Sequence, residues 1–225
     1  MCGRYTLTAD MSELERLDWY DELLSDHQPR FNIAPTQDAP VILRNREGVR
    51  GLLDMQWGLV PFWADDPDIG HRLINARSET ARSKPAFRAA FRSRRCLVLT
   101  DGFYEWQKQN GGPKQAYWIH EPEDSIFVFA GLWESWSEDE DDEPLLTFTI
   151  LTRDARDDLR SIHPRMPVIL DEAARETWLD EEASPDTLEE LLEKEPTTSL
   201  EARPVSTYVN KPGNTGPECI APVEE

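Results

Sequence analysis

Short apolar runs, separated by glycine, proline or charged residues, dominate the middle of the chain. They are rich in β-branched and aromatic residues and therefore predict strands. The runs are PVILRN, GLLDMQWG, RCLVLTD, AYWIH, IFVFAGLW, LLTFTILT and MPVIL. The opening MCGRYTLT predicts one more short strand. The pattern favours a fold whose centre is built from strands.

Helical spacing of apolar residues is found towards the two ends of the chain. Near the start, Asp10 and Glu13 are spaced as in a capping box and predict a helix over about 11–25. Near the end, the spacing predicts helices over about 171–181 and 185–194. A serine and a proline stand at the N-cap and N1 positions of the last one.

This order of elements predicts an α+β fold with a β-rich, barrel-like centre of mainly antiparallel strands and flanking helices. A chain of 225 residues can bury a sizeable core, so we expect a single domain over 1–225. No stretch approaches the roughly 20 apolar residues that span a bilayer, and the polar start does not resemble a signal peptide. We expect a cytoplasmic protein without membrane contact.

The cysteines are odd in number and lack the paired spacing of metal ligands. They are Cys2, Cys96 and Cys219. We therefore expect reduced thiols and neither a disulfide framework, a metal nor a cofactor.

The charge balance is strongly acidic, with 44 acidic and 24 basic residues and a formal net charge of −20. Acidic side chains gather in blocks such as EDEDDE at 138–143, which we interpret as part of a surface loop over 137–144. An acidic, lysine-poor surface keeps a protein hydrated at high intracellular salt. We therefore hypothesise a halophilic source.

The stretch from Arg72 to Arg95 is basic, and we call it the basic stretch. It matters because phosphate binding is dominated by lysine and arginine. It contains the single acid Glu79 and eight basic residues: Arg72, Arg77, Arg82, Lys84, Arg88, Arg92, Arg94 and Arg95. A solvated helix face and a track for DNA phosphates are both consistent with this stretch.

Polar residues also follow several predicted strands, where rigid scaffolds present reactive groups. Asn75 lies beside the basic stretch, Glu105 lies between two aromatic residues, and His163 precedes Pro164. A carboxylate between aromatic rings is desolvated, which raises its pKa towards the range where it can transfer protons. A solvent-facing glutamate and a structural loop histidine would give the same pattern.

Position 2 raises a separate question. Removal of Met1 would leave Cys2 with a free α-amine and a thiol on adjacent carbons, whose ordinary pKa values are roughly 8 and about 8.5. Such a 1,2-aminothiol traps aldehydes. A small residue at this position also simply permits methionine removal, so position 2 alone does not decide its role.

A set of short motifs runs along nearly the whole chain, from Met1 to about Asn210. In order, they are MCGRY, FNIAPTQ, WGLVPFW, INARSET, F..AF...RRCLVLTDGFYEW, FAGLWE, TILT, IHPRMPVIL and VSTYVN. This set resembles the motifs of the SRAP, or SOS response-associated peptidase, family. Each motif is short, but the ordered set is specific.

The resemblance implies a protein that recognises abasic sites in single-stranded DNA and forms a covalent DNA–protein crosslink through Cys2, after loss of Met1. The implied adduct is a thiazolidine with the ring-opened deoxyribose. By resemblance, Asn75 positions the sugar, Glu105 transfers protons and His163 assists ring opening. Many family members have aspartate where this chain has Pro164, which affects the local geometry of His163.

The same resemblance assigns DNA-binding residues. Arg4, Arg77 and Arg165 are expected to contact phosphates. Pro35, Trp63 and Trp106 are expected to offer stacking surfaces for bases, whereas Trp57 is expected in the core. We expect a monomer whose partner is abasic single-stranded DNA, associated with the nucleoid when bound.

Three alternative functions remain open. An N-terminal-nucleophile amidohydrolase also begins Met-Cys-Gly and uses the cysteine thiolate. A peptidase could use Cys2, His163 and Asn75 as a Cys–His–Asn set, or remove only its own Met1. A DNA-binding module without chemistry would not need Cys2.

Overall fold

The computed structural model describes residues 2–139, 141–197 and 199–223. Two sequence predictions reach beyond these ranges: the loss of Met1, and the part of the acidic loop that contains Glu140. Within the described ranges, no helix is both long and apolar enough to span a membrane.

Strands outnumber helices in the described part of the chain. The strands are β1 (Tyr5–Leu7), β2 (Glu22–Leu23), β3 (Arg30–Ile33), β4 (Asp38–Arg44), β5 (Arg50–Trp57), β6 (Asn75–Arg77), β7 (Arg95–Thr100), β8 (Gly102–Gln107), β9 (Gln115–His120), β10 (Phe127–Trp136), β11 (Leu145–Asp154), β12 (Arg165–Pro167), β13 (Ile169–Leu170) and β14 (Glu201–Val205). The helices are α1 (Met11–Leu14), α2 (Ser78–Ala81), α3 (Arg88–Ser93), α4 (Glu172–Leu179) and α5 (Pro185–Glu193). Every predicted strand is present, although MPVIL divides into β12 and β13.

Five of these strands close into a barrel, in the order β11, β10, β7, β4 and β5. Neighbours along this order pair antiparallel, and the ring closes where β11 pairs parallel with β5 at Phe148 and Trp57. Trp57 is completely buried and packs edge to face against Tyr5. The predicted barrel-like α+β architecture and the core position of Trp57 are confirmed.

A second sheet carries the start of the chain. Its strand order is β14, β9, β8, β1 and β3, so β1 lies between β8 and β3. Tyr5 pairs with Phe103 on one side and with Ile33 on the other. Residues 2–4, directly before β1, are therefore held beside β8.

The helix predicted over 11–25 is wrong beyond its first turn. Both hydrogen bonds of the capping box form between Asp10 and Glu13, but α1 ends at Leu14. The Tyr20 hydroxyl donates to the Leu14 carbonyl at 3.0 Å, and residues 22–23 pair with β5 instead of continuing the helix. Tertiary pairing here outweighs the local helical pattern.

The two late helices are confirmed. α4 and α5 begin and end within a few residues of the predicted limits, and the Ser184 side chain accepts the Thr187 N–H as an N-cap. At the end of α4, buried Arg95 donates to the carbonyls of Trp178 and Asp180, each at 2.7 Å. These bonds satisfy carbonyls that lack partners at a helix C-terminus.

Candidate functional site

The backbone of Cys2 is hydrogen-bonded to Asn75, the first residue of β6. The Asn75 side chain donates from Nδ2 to the Cys2 carbonyl at 2.6 Å. Asn75 is held in place because β6 pairs with β11, with Asn75 opposite Ile150. The Oδ1 atom of Asn75 is buried and accepts no hydrogen bond from the described residues, so it can receive a donor from a ligand.

Glu105 is a buried carboxylic acid on β8, with only 3% of its surface exposed. Burial raises the pKa of Glu105 from 4.5 to about 7, because a desolvated carboxylate is costly. Its Oε1 atom lies 3.7 Å from Nδ1 of His163. Near neutral pH, this side chain can therefore both give and take a proton.

His163 lies in the loop between β11 and β12 and is half-buried. Its Nδ1 is 3.1 Å from the Arg165 N–H and 3.0 Å from the Arg165 carbonyl, so either bond can form depending on the ring proton. Burial lowers the pKa of His163 below 6.5, which favours the neutral ring at neutral pH.

The Cys2 thiol is buried and donates to the Arg4 carbonyl at 3.5 Å. Burial, reinforced by the nearby Glu105 charge, raises the pKa of this thiol far above its ordinary value. A thiol in this state is not a spontaneous nucleophile, so it needs a neighbouring base. The structure thus brings Cys2, Asn75, Glu105 and His163 into one cluster.

Arg4 and Trp106 border this cluster, and both donate hydrogen bonds to residues 209–210. Arg4 Nη1 donates to Asn32 Oδ1 at 2.9 Å and to the Val209 carbonyl at 3.0 Å. Trp106 Nε1 donates to Asn210 Oδ1 at 2.8 Å. The sequence reasoning missed Asn32, although it lies in the FNIAPTQ motif.

The two remaining candidate phosphate ligands differ sharply in their surroundings. Arg77 is exposed at the end of β6. Arg165 is largely buried, and its guanidinium donates twice to Glu79, at 2.6 and 3.0 Å, and once to Asp154 at 2.7 Å. A phosphate could reach Arg165 only by displacing these carboxylates.

The basic stretch also divides into two groups. Three members have partners in the fold: exposed Arg82 pairs with two acids of α5, Arg94 pairs with Glu134 at 2.7 Å, and Arg95 binds helix carbonyls. The exposed members that form no ion pair with the described residues are Arg72, Arg77, Lys84, Arg88 and Arg92. Sequence alone could not separate them, because their partners are distant along the chain.

Aromatic side chains are exposed on the loop after β5. Trp63 is 48% exposed, and its neighbour Phe62, which the sequence reasoning did not select, is 59% exposed. Pro35 is half-buried and precedes Thr36, whose φ of 70° marks a turn in the left-handed region. These side chains could contact bases without unfolding the core.

The described residues contain no group of three or more histidine, cysteine, aspartate or glutamate side chains arranged to hold a metal ion. The cluster around Cys2 itself contains a thiol, an amide, a carboxylic acid and an imidazole.

Comparisons with known proteins give a consistent result. The profile of the family described as SOS response associated peptidase (SRAP) matches residues 1–212. Abasic site processing protein YoqW of Bacillus subtilis is 38% identical over 98% of this chain and 99% of its own length. Abasic site processing protein HMCES of Gallus gallus is 36% identical over 100% of this chain and 78% of its own length.

Solved structures share the fold. A protein from Bacteroides thetaiotaomicron superposes with a TM-score of 0.86 at 24% identity and covers 99% of this chain and 100% of its own. A phage-related protein from Bordetella bronchiseptica has a TM-score of 0.72 at 29% identity, covering 91% of this chain and 94% of its own. Because the family profile matches nearly the whole chain, this chain belongs to the SRAP family.

Proposed function

We propose that this protein senses abasic sites in single-stranded DNA and forms a covalent crosslink between Cys2 and the abasic sugar. The observation that carries the proposal is the cluster around Cys2, in which a buried acid of pKa about 7 lies beside the only residue that can become an N-terminal aminothiol. The names of the relatives, abasic site processing proteins, supply the substrate class.

The chemistry begins with removal of Met1, which frees the α-amine of Cys2. The amine adds to the aldehyde of the ring-opened deoxyribose, and loss of one water gives an imine. The thiol sulfur then bonds to the imine carbon, and its proton passes to the nitrogen. The product is a five-membered thiazolidine, and no oxidant or reductant is required.

Each polar side chain near Cys2 has a role in these reaction steps. Glu105 protonates the departing hydroxyl during imine formation and, once ionised, accepts the thiol proton. Asn75 holds the Cys2 carbonyl and offers its buried Oδ1 to a donor on the sugar. His163, neutral at pH 7, assists opening of the sugar ring.

The surface beside the cluster suits a single strand. Arg4 and Arg77 are the proposed phosphate ligands, together with Arg165 once a phosphate displaces its carboxylate partners. Pro35, Trp63 and Trp106 are the proposed stacking surfaces. Stacking contributes about 1–3 kcal/mol per base and tolerates any sequence. We propose that the protein acts as a monomer on DNA in the nucleoid.

Intact-protein mass spectrometry tests the proposal directly. The purified protein should lack Met1, and incubation with a single-stranded oligonucleotide bearing one abasic site should add the oligonucleotide mass less one water. Cys2→Ala should abolish the adduct, and so should an extra residue placed before Cys2. Retained methionine together with no adduct would refute the proposal.

An N-terminal-nucleophile hydrolase is the main competing function. It requires a thiolate at Cys2, whereas burial and the Glu105 charge oppose thiolate formation here. Asn75 contacts the Cys2 carbonyl and His163 contacts Glu105, which differs from the Cys–His–Asn order of a thiol protease. Release of glutamate from glutamine would favour the hydrolase.

A further inference from the structure

Asn32 is a buried amide on β3 whose two polar atoms face different partners. Its Oδ1 accepts from Arg4 Nη1 at 2.9 Å. Its Nδ2 donates to the carbonyls of Lys211 at 3.1 Å and Asn214 at 2.8 Å, with Val209 at 3.3 Å. Since an amide nitrogen only donates, these carbonyls fix the side chain with its oxygen towards Arg4.

The bonds to Arg4 use one end of its guanidinium. Both N–H groups of Nη1 are occupied, by Asn32 and by the Val209 carbonyl. Nη2 reaches the Asn210 carbonyl only at 3.5 Å, and Nε bonds to none of the described residues. The edge formed by Nε and Nη2 therefore remains for a ligand.

The Nε–Nη2 edge of Arg4 is suited to binding a phosphate. Its two parallel N–H groups fit two oxygens of one phosphate, a geometry that a lysine ammonium cannot reproduce. An arginine with a freely rotating side chain would lose rotamer entropy on binding, whereas Arg4 is already fixed at Nη1. Orientation before binding thus favours phosphate capture.

The orientation of the Arg4 guanidinium depends on the segment 207–214. Val209, Lys211 and Asn214 belong to the segment 207–214, which follows β14. Asn214 Nδ2 donates back to the Tyr208 carbonyl at 2.6 Å and closes this segment on itself. Asn32 thus adds a side-chain link between this segment and Arg4, beside the direct bond from Arg4 to the Val209 carbonyl.

We propose that Asn32 is a positioning residue that holds Arg4 with its Nε–Nη2 edge presented to a DNA phosphate. The inference rests on the proposed DNA binding and assigns a role to a residue outside the reacting cluster. Asn32 itself touches neither the phosphate nor the sugar.

The test is a double-mutant cycle on DNA affinity. Binding of a single-stranded oligonucleotide with an unreactive tetrahydrofuran abasic analogue is measured across a range of KCl. Asn32→Ala should weaken binding about tenfold, and it should reduce the salt slope by about 0.7, the value of one phosphate contact. In the Arg4→Ala background, Asn32→Ala should cause no further loss.

Thermal unfolding of the same variants separates positioning from folding. Thr100→Val is the matched control, because Thr100 also donates from a buried position, to the Thr6 carbonyl at 3.0 Å. This control should lower stability and keep the parental salt slope. Asn32→Asp, which keeps the side-chain volume but brings a carboxylate to Arg4, should lower the slope as Asn32→Ala does.

Three results would overturn the proposal. The first is an equal loss of affinity from Asn32→Ala with and without Arg4, which would indicate a general structural effect. The second is a parental slope in Asn32→Ala or Asn32→Asp. The third is unchanged affinity in Arg4→Ala. Crosslink formation on abasic DNA is measured separately, because it tests the proposed Cys2 chemistry and not the role of Asn32.

Discussion

Glu105 and His163 contact each other at 3.7 Å, between Oε1 of the acid and Nδ1 of the imidazole. Burial raises the pKa of Glu105 to about 7 and lowers the pKa of His163 below its ordinary value. Glu105 is thus close to half-protonated near neutral pH, the range where general acid–base catalysis is most effective, whereas the neutral form of His163 is favoured there. In the proposed mechanism, this pair would supply the proton transfers for both formation and reversal of the imine.

The rate of crosslinking should depend on the ionisation of Glu105. We expect Glu105→Gln to slow adduct formation and reversal by roughly 10²–10⁴-fold, since an amide keeps the shape but exchanges no proton. The parent's pH–rate profile should bend near pH 7, and that bend should vanish in the variant. Gel-resolved crosslinking between pH 5 and 9 measures both, and an unchanged rate would remove Glu105 from the mechanism.

Stability should also depend on Glu105, with a defined sign. The folded pKa of about 7 exceeds the ordinary value of 4.5, so the folded state retains a proton that the unfolded state releases. The free energy of unfolding should therefore fall as pH rises from about 4.5 to above 7, by on the order of 3 kcal/mol from this group. Urea unfolding of parent and Glu105→Gln should show a smaller decline in the variant, because buried carboxyls such as Asp101 and Glu134 also have raised pKa values and remain in it.

His163 should matter only when a sugar ring has to open. We expect His163→Ala to slow reaction with an abasic oligonucleotide but barely affect reaction with a simple aldehyde. Asn75→Ala, which frees the Cys2 carbonyl, should slow both reactions. Equal slowing of both reactions by His163→Ala would point to a structural role for the histidine.

Arg77 should contribute one phosphate contact. Because it is exposed beside the cluster, we expect Arg77→Ala to weaken single-strand binding and lower the salt slope by about 0.7. Arg160→Ala is the control, since Arg160 lies outside the basic stretch and binds the Ala155 carbonyl at 3.2 Å. Indistinguishable slopes for parent and both variants would contradict a DNA role for Arg77.

High salt should stabilise the fold if the acidic surface is a halophilic adaptation. The net charge of −20 produces self-repulsion that added ions screen. We expect the thermal midpoint to rise steadily between 0.1 and 2 M KCl. The halophilic source stays a prediction, and a flat or falling thermal midpoint would refute it.

The apolar pattern predicted the strands because each buried run has a β-rich composition of its own. It failed for 15–25, where a helical pattern yields to the Tyr20 hydroxyl and to pairing with β5. Parallel closure of the barrel was also beyond prediction, since it joins Trp57 to Phe148 across a long separation. Long-range pairings of this kind leave no local signal.

The cluster of Cys2, Asn75, Glu105 and His163 could be selected from the sequence only through motif resemblance. Residues around Glu105 suggested desolvation, and the structure agrees, but nothing near His163 in sequence indicates its contact with that acid. The ion pairs of Arg165 and the hydrogen bonds of Asn32 were hidden for the same reason, because their partners come from other motifs. Charge counting alone could not tell exposed arginines from structural ones.

Closure of the five-stranded barrel has a consequence for self-association. A strand at the border of an open sheet exposes unpaired amides that can recruit another chain, and strand-rich proteins are prone to such growth. Here the ring has no border, and the outermost strands appended to it among the described residues, β2 and β12, span only two and three residues. The barrel itself therefore offers another chain no long free edge, and the strands that border an open sheet are β14 and β3 of the second sheet.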